Sequence, residues 1–150
     1  MPAKWIAQFY EDANGRSPAK IWMDDLSVAK YAALRAAIKH VLEVQGLSLS
    51  GTLWMTPLGD GLYEFRVKHS ERQILEMYSE IGGDDLPAKP PEKILLRVFV
   101  HFHGNRIVLL LGGYDKGKDD SDKKQRAEIK VAQRALGAWR RQEVRNHRSK

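Results

Sequence analysis

Glu64, Arg66 and Lys68 occupy alternate positions in the run Gly61-Leu62-Tyr63-Glu64-Phe65-Arg66-Val67-Lys68-His69. Charged residues alternating with apolar ones are the mark of a half-buried β-strand, so all three side chains project from one face. Side chains two residues apart on a strand are neighbours. Arg66 and Lys68 thus form a closely spaced cationic pair suited to gripping a phosphodiester, with Glu64 beside them as a proton acceptor. A solvent-facing strand decorated with ordinary charges presents the same alternation, so other segments must separate the two readings.

Arg97 lies inside Leu95-Leu96-Arg97-Val98-Phe99-Val100, where a charge must be paired or face a site. Along 94–103, Ile94, Leu96, Val98, Val100 and Phe102 share one face, and Arg97, Phe99, His101 and His103 share the other. If 61–69 and 94–103 belong to one sheet, Arg97 joins Arg66 and Lys68 on a common patch. His101 and His103 offer a general acid or base, or they are exposed surface residues. Two histidines at i, i+2 with no third ligand in view make a poor zinc site. After Leu111 comes Gly112-Gly113-Tyr114-Asp115-Lys116-Gly117-Lys118. Its glycines would let a loop backbone approach a ligand, Tyr114 brings a ring and a hydroxyl, and Lys116 and Lys118 bring phosphate contacts. A flexible basic loop is the plainer reading of that segment.

The elements that must hold these residues follow from periodicity and turn chemistry. A first apolar strand is predicted over 5–10, followed by a turn-rich loop, and Ser17-Pro18 has the form of an N-cap with proline at the first helical position. Ser27 caps a second helix over 28–45, whose Tyr31, Leu34, Ile38, Val41 and Leu42 form one stripe and which Gly46 ends. Residues 47–60 read as an irregular approach, with Trp54 as a core anchor. Strands at 94–103 and 106–111 are joined by Gly104-Asn105, a hairpin signal. Between them and the 61–69 strand, 72–93 contains Gly82-Gly83-Asp84-Asp85 and Pro87-Ala88-Lys89-Pro90-Pro91 and reads as an extended insertion. A hydrophilic stretch over 115–124 leads to a long helix from about Ser121 or Asp122, with Ile129, Ala132, Leu136 and Trp139 inward. The order predicts one α+β domain spanning 1–150, with helices on one face of a small antiparallel sheet.

Composition narrows the classes. At 43% hydrophobic and 29% charged over 150 residues, the chain suits one soluble domain with an ordinary core. No cysteine is present, which excludes disulfide frameworks, thiolate metal sites and thiol nucleophiles. The longest aliphatic run, 107–111, is far too short to span a bilayer, and a cytoplasmic protein with no membrane association is expected. The net charge of +6 favours an anionic partner. Much of it lies in the tail, where Arg134, Arg140, Arg141, Arg145, Arg148 and Lys150 face one acid, Glu143. That tail fits an RNA-binding arm, a dock for an acidic protein, or a solvated helix end complementing the helix dipole.

The segments Pro57-Leu58-Gly59-Asp60-Gly61-Leu62-Tyr63-Glu64-Phe65-Arg66-Val67, then Leu96-Arg97-Val98-Phe99, then Arg106-Ile107-Val108-Leu109-Leu110 resemble the phage Gp49-like family, HigB-type toxins of the RelE/ParE toxin superfamily. The resemblance is specific over about 57–116 and weaker over the N-terminal strand and helices. It implies a RelE-like fold, a small antiparallel sheet with two N-terminal helices packed on one face and a C-terminal helix. It also implies a type II toxin, an endoribonuclease cutting mRNA in the ribosomal A site. A cognate antitoxin, usually a helix-turn-helix protein, would neutralise it in a hetero-oligomer. The expected chemistry needs no metal or cofactor: the RNA 2′-hydroxyl attacks the adjacent phosphorus while the protein aligns the reactants, stabilises the phosphorane and moves two protons. Arg66, Lys68 and Arg97 would hold the phosphate, Lys68 or Glu64 would act as base, and Tyr114 or a histidine would assist the leaving oxygen. Lys116, Lys118, His101 and His103 would contact RNA. Two departures from the family stand out: the long 72–93 connection, and the ending Tyr114-Asp115-Lys116-Gly117-Lys118 in place of a Phe and paired lysines, which sets Asp115 beside the expected phosphate site. A ParE-like gyrase inhibitor acting by binding, and an inactive phage-derived RNA-binding protein, are the competing expectations.

Overall fold

The structure is a computed structural model that describes residues 4–78 and 93–148. Five strands form one mixed sheet: β1 (Ile6–Phe9), β2 (Met55–Gly59), β3 (Leu62–Val67), β4 (Leu96–His103) and β5 (Ile107–Asp115), in the order β1-β5-β4-β3-β2. β2 to β5 are antiparallel neighbours. The sheet is nevertheless not wholly antiparallel as expected, because β1 returns to the far edge and pairs with β5 in parallel, Ile6 opposite Ile107.

Helices α1 (Pro18–Asp24) and α2 (Val28–Ala37) begin where the sequence predicts, with Ser17 and Ser27 side chains each accepting a backbone N–H three residues on. The second helix continues through a wide π turn (Ile38–Leu42) into α3 (Glu43–Gln45). Gly46 ends it for two reasons: its φ is +50°, and the Trp5 indole lies where a Cβ would stand.

The even-numbered face of β4 points at these helices. Leu96, Val98 and Val100 join Phe65, Val67, Val108 and Leu110 in a core closed by Met23, Leu34, Ala37 and Val41. The opposite face is also covered, which corrects the expectation of helices on one face only. Helix α5 (Asp122–Arg148) lies there, packing Ala132 and Leu136 on Leu62, Phe99, Leu109 and Leu111, with Ile129 and Trp139 at the margin. The residues that could do chemistry are therefore on the α5 side of the sheet.

Three local expectations are also corrected. Residues 55–59 are an edge strand, β2, rather than irregular chain; Trp54 at its start stacks on Phe65 with ring centroids 5.9 Å apart, the anchoring role expected of it. Helix α4 (Glu71–Tyr78) occupies the start of the supposed insertion and buries Ile74; residues 79–92 lie outside the described residues. Gly112, Gly113 and Tyr114 belong to β5, not to a loop. Gly113 is required because the Trp22 ring and the Arg97 carbonyl lie where its Cβ would be.

Candidate functional site

Strand register brings the distant residues together. Arg66 on β3 is directly opposite Arg97 on β4, and Arg97 is directly opposite Tyr114 on β5, so the three form one row across the sheet. Glu64 heads the adjacent row, opposite Phe99. The Glu64 carboxylate is fully buried and is approached by the two arginines of the row and by a side chain of α5. Arg66 Nε donates to Oε1 at 3.1 Å, Arg97 Nε approaches the same oxygen at 3.6 Å, and Gln125 Nε2 of α5 donates to Oε2 at 3.1 Å. Arg66 is half-buried, whereas Arg97 and Tyr114 are 4% and 3% exposed.

Two buried polar groups in the row lack hydrogen-bond partners among the described residues. They are Arg97 Nε, too far from Glu64 for a hydrogen bond, and the Tyr114 hydroxyl. Burial lowers the Arg97 pKa, opposed by Glu64 and reinforced by Arg66. Burial also raises the Tyr114 pKa, and Glu64 adds to that. The phenol therefore keeps its proton at neutral pH and can only donate it or hold it. A carboxylate, two guanidiniums and a phenol thus converge within one buried group, able to grip an oxyanion and to transfer a proton.

Lys68 and Lys118 are not in this group. Lys68 is exposed one residue past the end of β3, and Lys118 is exposed in the loop after β5. Lys118 and Lys124 line a cleft of about 330 Å³ that reaches Tyr114 between Trp22, Asp25 and Glu128. Lys116 is half-buried near it, its backbone N–H bonded to the Leu95 carbonyl. His101 and His103 are four and six residues from Arg97, roughly 13 and 20 Å along the strand. Neither is exposed. Both pack under Trp139 of α5, with ring centroids 5.4 and 4.5 Å from the indole, and His101 Nδ1 donates to the Gly61 carbonyl at 2.7 Å. Their surroundings are those of packing residues. Asp115 does not burden the row either: it turns to the other face, where Lys30 Nζ neutralises it at 2.6 Å and the Gly117 N–H binds its second oxygen.

Sequence reasoning missed Gln125, although it stands one turn before Ile129 on the inward stripe of α5, and Lys30, whose partner is 85 residues away. Among the described residues, no cluster of three or more His, Asp or Glu side chains is arranged to hold a metal ion, and no helix is long and apolar enough to cross a membrane. No family model matches the chain, and no curated protein matches it.

Proposed function

We propose that this protein is a RelE-like type II toxin, a ribosome-dependent endoribonuclease that cleaves mRNA by 2′-hydroxyl attack. One observation carries the reading: Arg66, Arg97 and Tyr114 stand in a single row across three strands, with Glu64 between the arginines. The arginines grip the scissile phosphate and stabilise the phosphorane. Glu64 is the base that takes the 2′-hydroxyl proton, and Tyr114, kept protonated by burial, donates to the leaving 5′-oxygen. Lys68, Lys116 and Lys118 border the approach and meet flanking phosphates. The similarity of 57–67, 96–99 and 106–110 to HigB-type toxins supports the same reading, and with it a helix-turn-helix antitoxin as partner.

Arg66 is half-buried and the cleft reaches Tyr114, but Gln125 closes over Glu64 and Arg97 is buried, so substrate engages the whole row when the first turns of α5 lift. That closure is what favours the second reading, a ParE-like gyrase inhibitor that acts by binding and leaves the row shut. Growth and mRNA integrity after induction of wild type, Arg66→Ala, Arg97→Ala and Tyr114→Ala test the proposal. Growth arrest with cut mRNA in wild type, relieved in the variants, is expected; full toxicity in all three variants overturns it.

A further inference from the structure

Helix α5 carries nine basic and three acidic residues, so its charge of +6 equals that of the whole chain and the remainder is neutral. These charges are sorted around the helix. At 3.6 residues per turn, Lys123, Arg126, Lys130, Arg134, Arg141 and Arg145 fall in one sector, opposite Gln125, Ile129, Ala132, Leu136 and Trp139, which face the sheet. All six are exposed. None of the three acids of α5 lies within their sector: Asp122 and Glu128 lie on opposite flanks, Glu128 paired with Lys124 at 2.9 Å, and Glu143 lies on the inward side. Lys123, Arg126, Lys130, Arg134 and Arg141 make no ion pair among the described residues. Arg140, on the flank of this helix, is tied to the fold: it donates to the Asp60 carboxylate and to the Asp60 carbonyl, at 3.0 and 2.8 Å.

A rod of cations about 33 Å long, most of them about 6 Å apart along the axis, is unfavourable by self-repulsion unless it meets an anionic surface of similar length. A protein-docking face would carry an apolar or aromatic centre. Here the sector holds only Ala127, Gly137 and Val144 between the cations. We propose that the outward face of α5 is a second, non-catalytic binding surface for the phosphate backbone of double-helical RNA, contacted without reading sequence. Commitment to RNA rests on the reading of the row on the inner side of the same helix; the charge stripe itself does not.

The test uses the full chain and an RNA duplex fully methylated at the 2′-hydroxyls, which keeps an A-form backbone and cannot be cut by 2′-hydroxyl attack. Anisotropy titrations over about 50–200 mM salt should give a log–log slope near −4 to −5, about 0.9 per phosphate contacted. Arg126→Gln/Lys130→Gln/Arg134→Gln should lower the slope by roughly 2.7 and weaken binding on the order of 10²-fold. Lysine at 126 and 134 should restore both, and far-UV circular dichroism should be unchanged, since glutamine is a good helix former. Unaltered affinity and slope in the triple glutamine variant would overturn the proposal, as would equal binding of a poly-glutamate peptide or tighter binding of a DNA duplex. Duplex binding retained in Arg97→Ala separates this surface from the row: should wild type prove unable to cut mRNA, the binding result still stands or falls by itself.

Discussion

Arg66 and Arg97 face each other directly across β3 and β4 and flank one oxygen, the Oε1 of Glu64, which accepts a hydrogen bond from Arg66 at 3.1 Å and forms a longer ion pair with Arg97 at 3.6 Å. Two like charges directly opposite in a sheet repel, and here a buried carboxylate between them turns the repulsion into a bridged triad.

Removing that carboxylate leaves the Arg97 charge buried and unbalanced. Glu64→Ala is expected to cost about 3–5 kcal/mol in urea unfolding, with part of the loss recovered when Arg97→Met is added. A loss below about 1 kcal/mol would mean the triad contributes little to the fold.

Tyr114→Phe separates structure from chemistry. Its hydroxyl has no partner among the described residues, so its removal should change stability by less than about 1 kcal/mol. Cleavage should fall roughly 10²–10⁴-fold, the range of a lost general acid. Unaltered cleavage would remove Tyr114 from the mechanism.

Gly113 and Gly112 are adjacent in β5 and differ in their surroundings. Gly113→Ala drives a methyl into the Trp22 ring and should destabilise by about 1–3 kcal/mol, whereas Gly112→Ala meets nothing within 4 Å and should be mild. Thermal denaturation of the two variants compares them directly.

His40 and His103 both have pKa values pushed below the ordinary 6.5, chiefly by burial, with Lys39 and His101 respectively adding to it. The unfolded chain therefore binds more protons just below that pH, so stability is complete above it and declines as pH falls through it. Urea midpoints at about pH 7.5 and 5.5 should differ in that sense, and His103→Gln should narrow the difference. Equal narrowing by the exposed-surface change His147→Gln would remove the assignment.

Much of this arrangement was legible in local pattern. Alternation over 94–103 sorted Arg97, Phe99, His101 and His103 onto one face correctly, because a period of two is set by backbone geometry alone. The pairing of 61–69 with 94–103 and the hairpin at Gly104-Asn105 were also legible, but what would cover the charged face was not. That Glu64 is buried depends on Gln125, 61 residues later, and on α5 choosing the charged side of the sheet. Gly112-Gly113 reads as loop because glycine usually signals turns, and the glycine at 113 inside a strand is explained by two groups distant in sequence, the Trp22 ring and the Arg97 carbonyl. The histidines looked exposed for the same reason: Trp139, which covers them, comes from an element with no sequence proximity.

The central claim is tested most directly by mapping 5′ ends of a reporter mRNA after incubation with purified protein in a reconstituted translation system. The account predicts new ends inside the translated region, dependent on ribosomes and lost in Arg66→Ala and Tyr114→Phe. Intact mRNA in that system, together with failure of DNA gyrase to supercoil plasmid in the presence of the same protein, would contradict it.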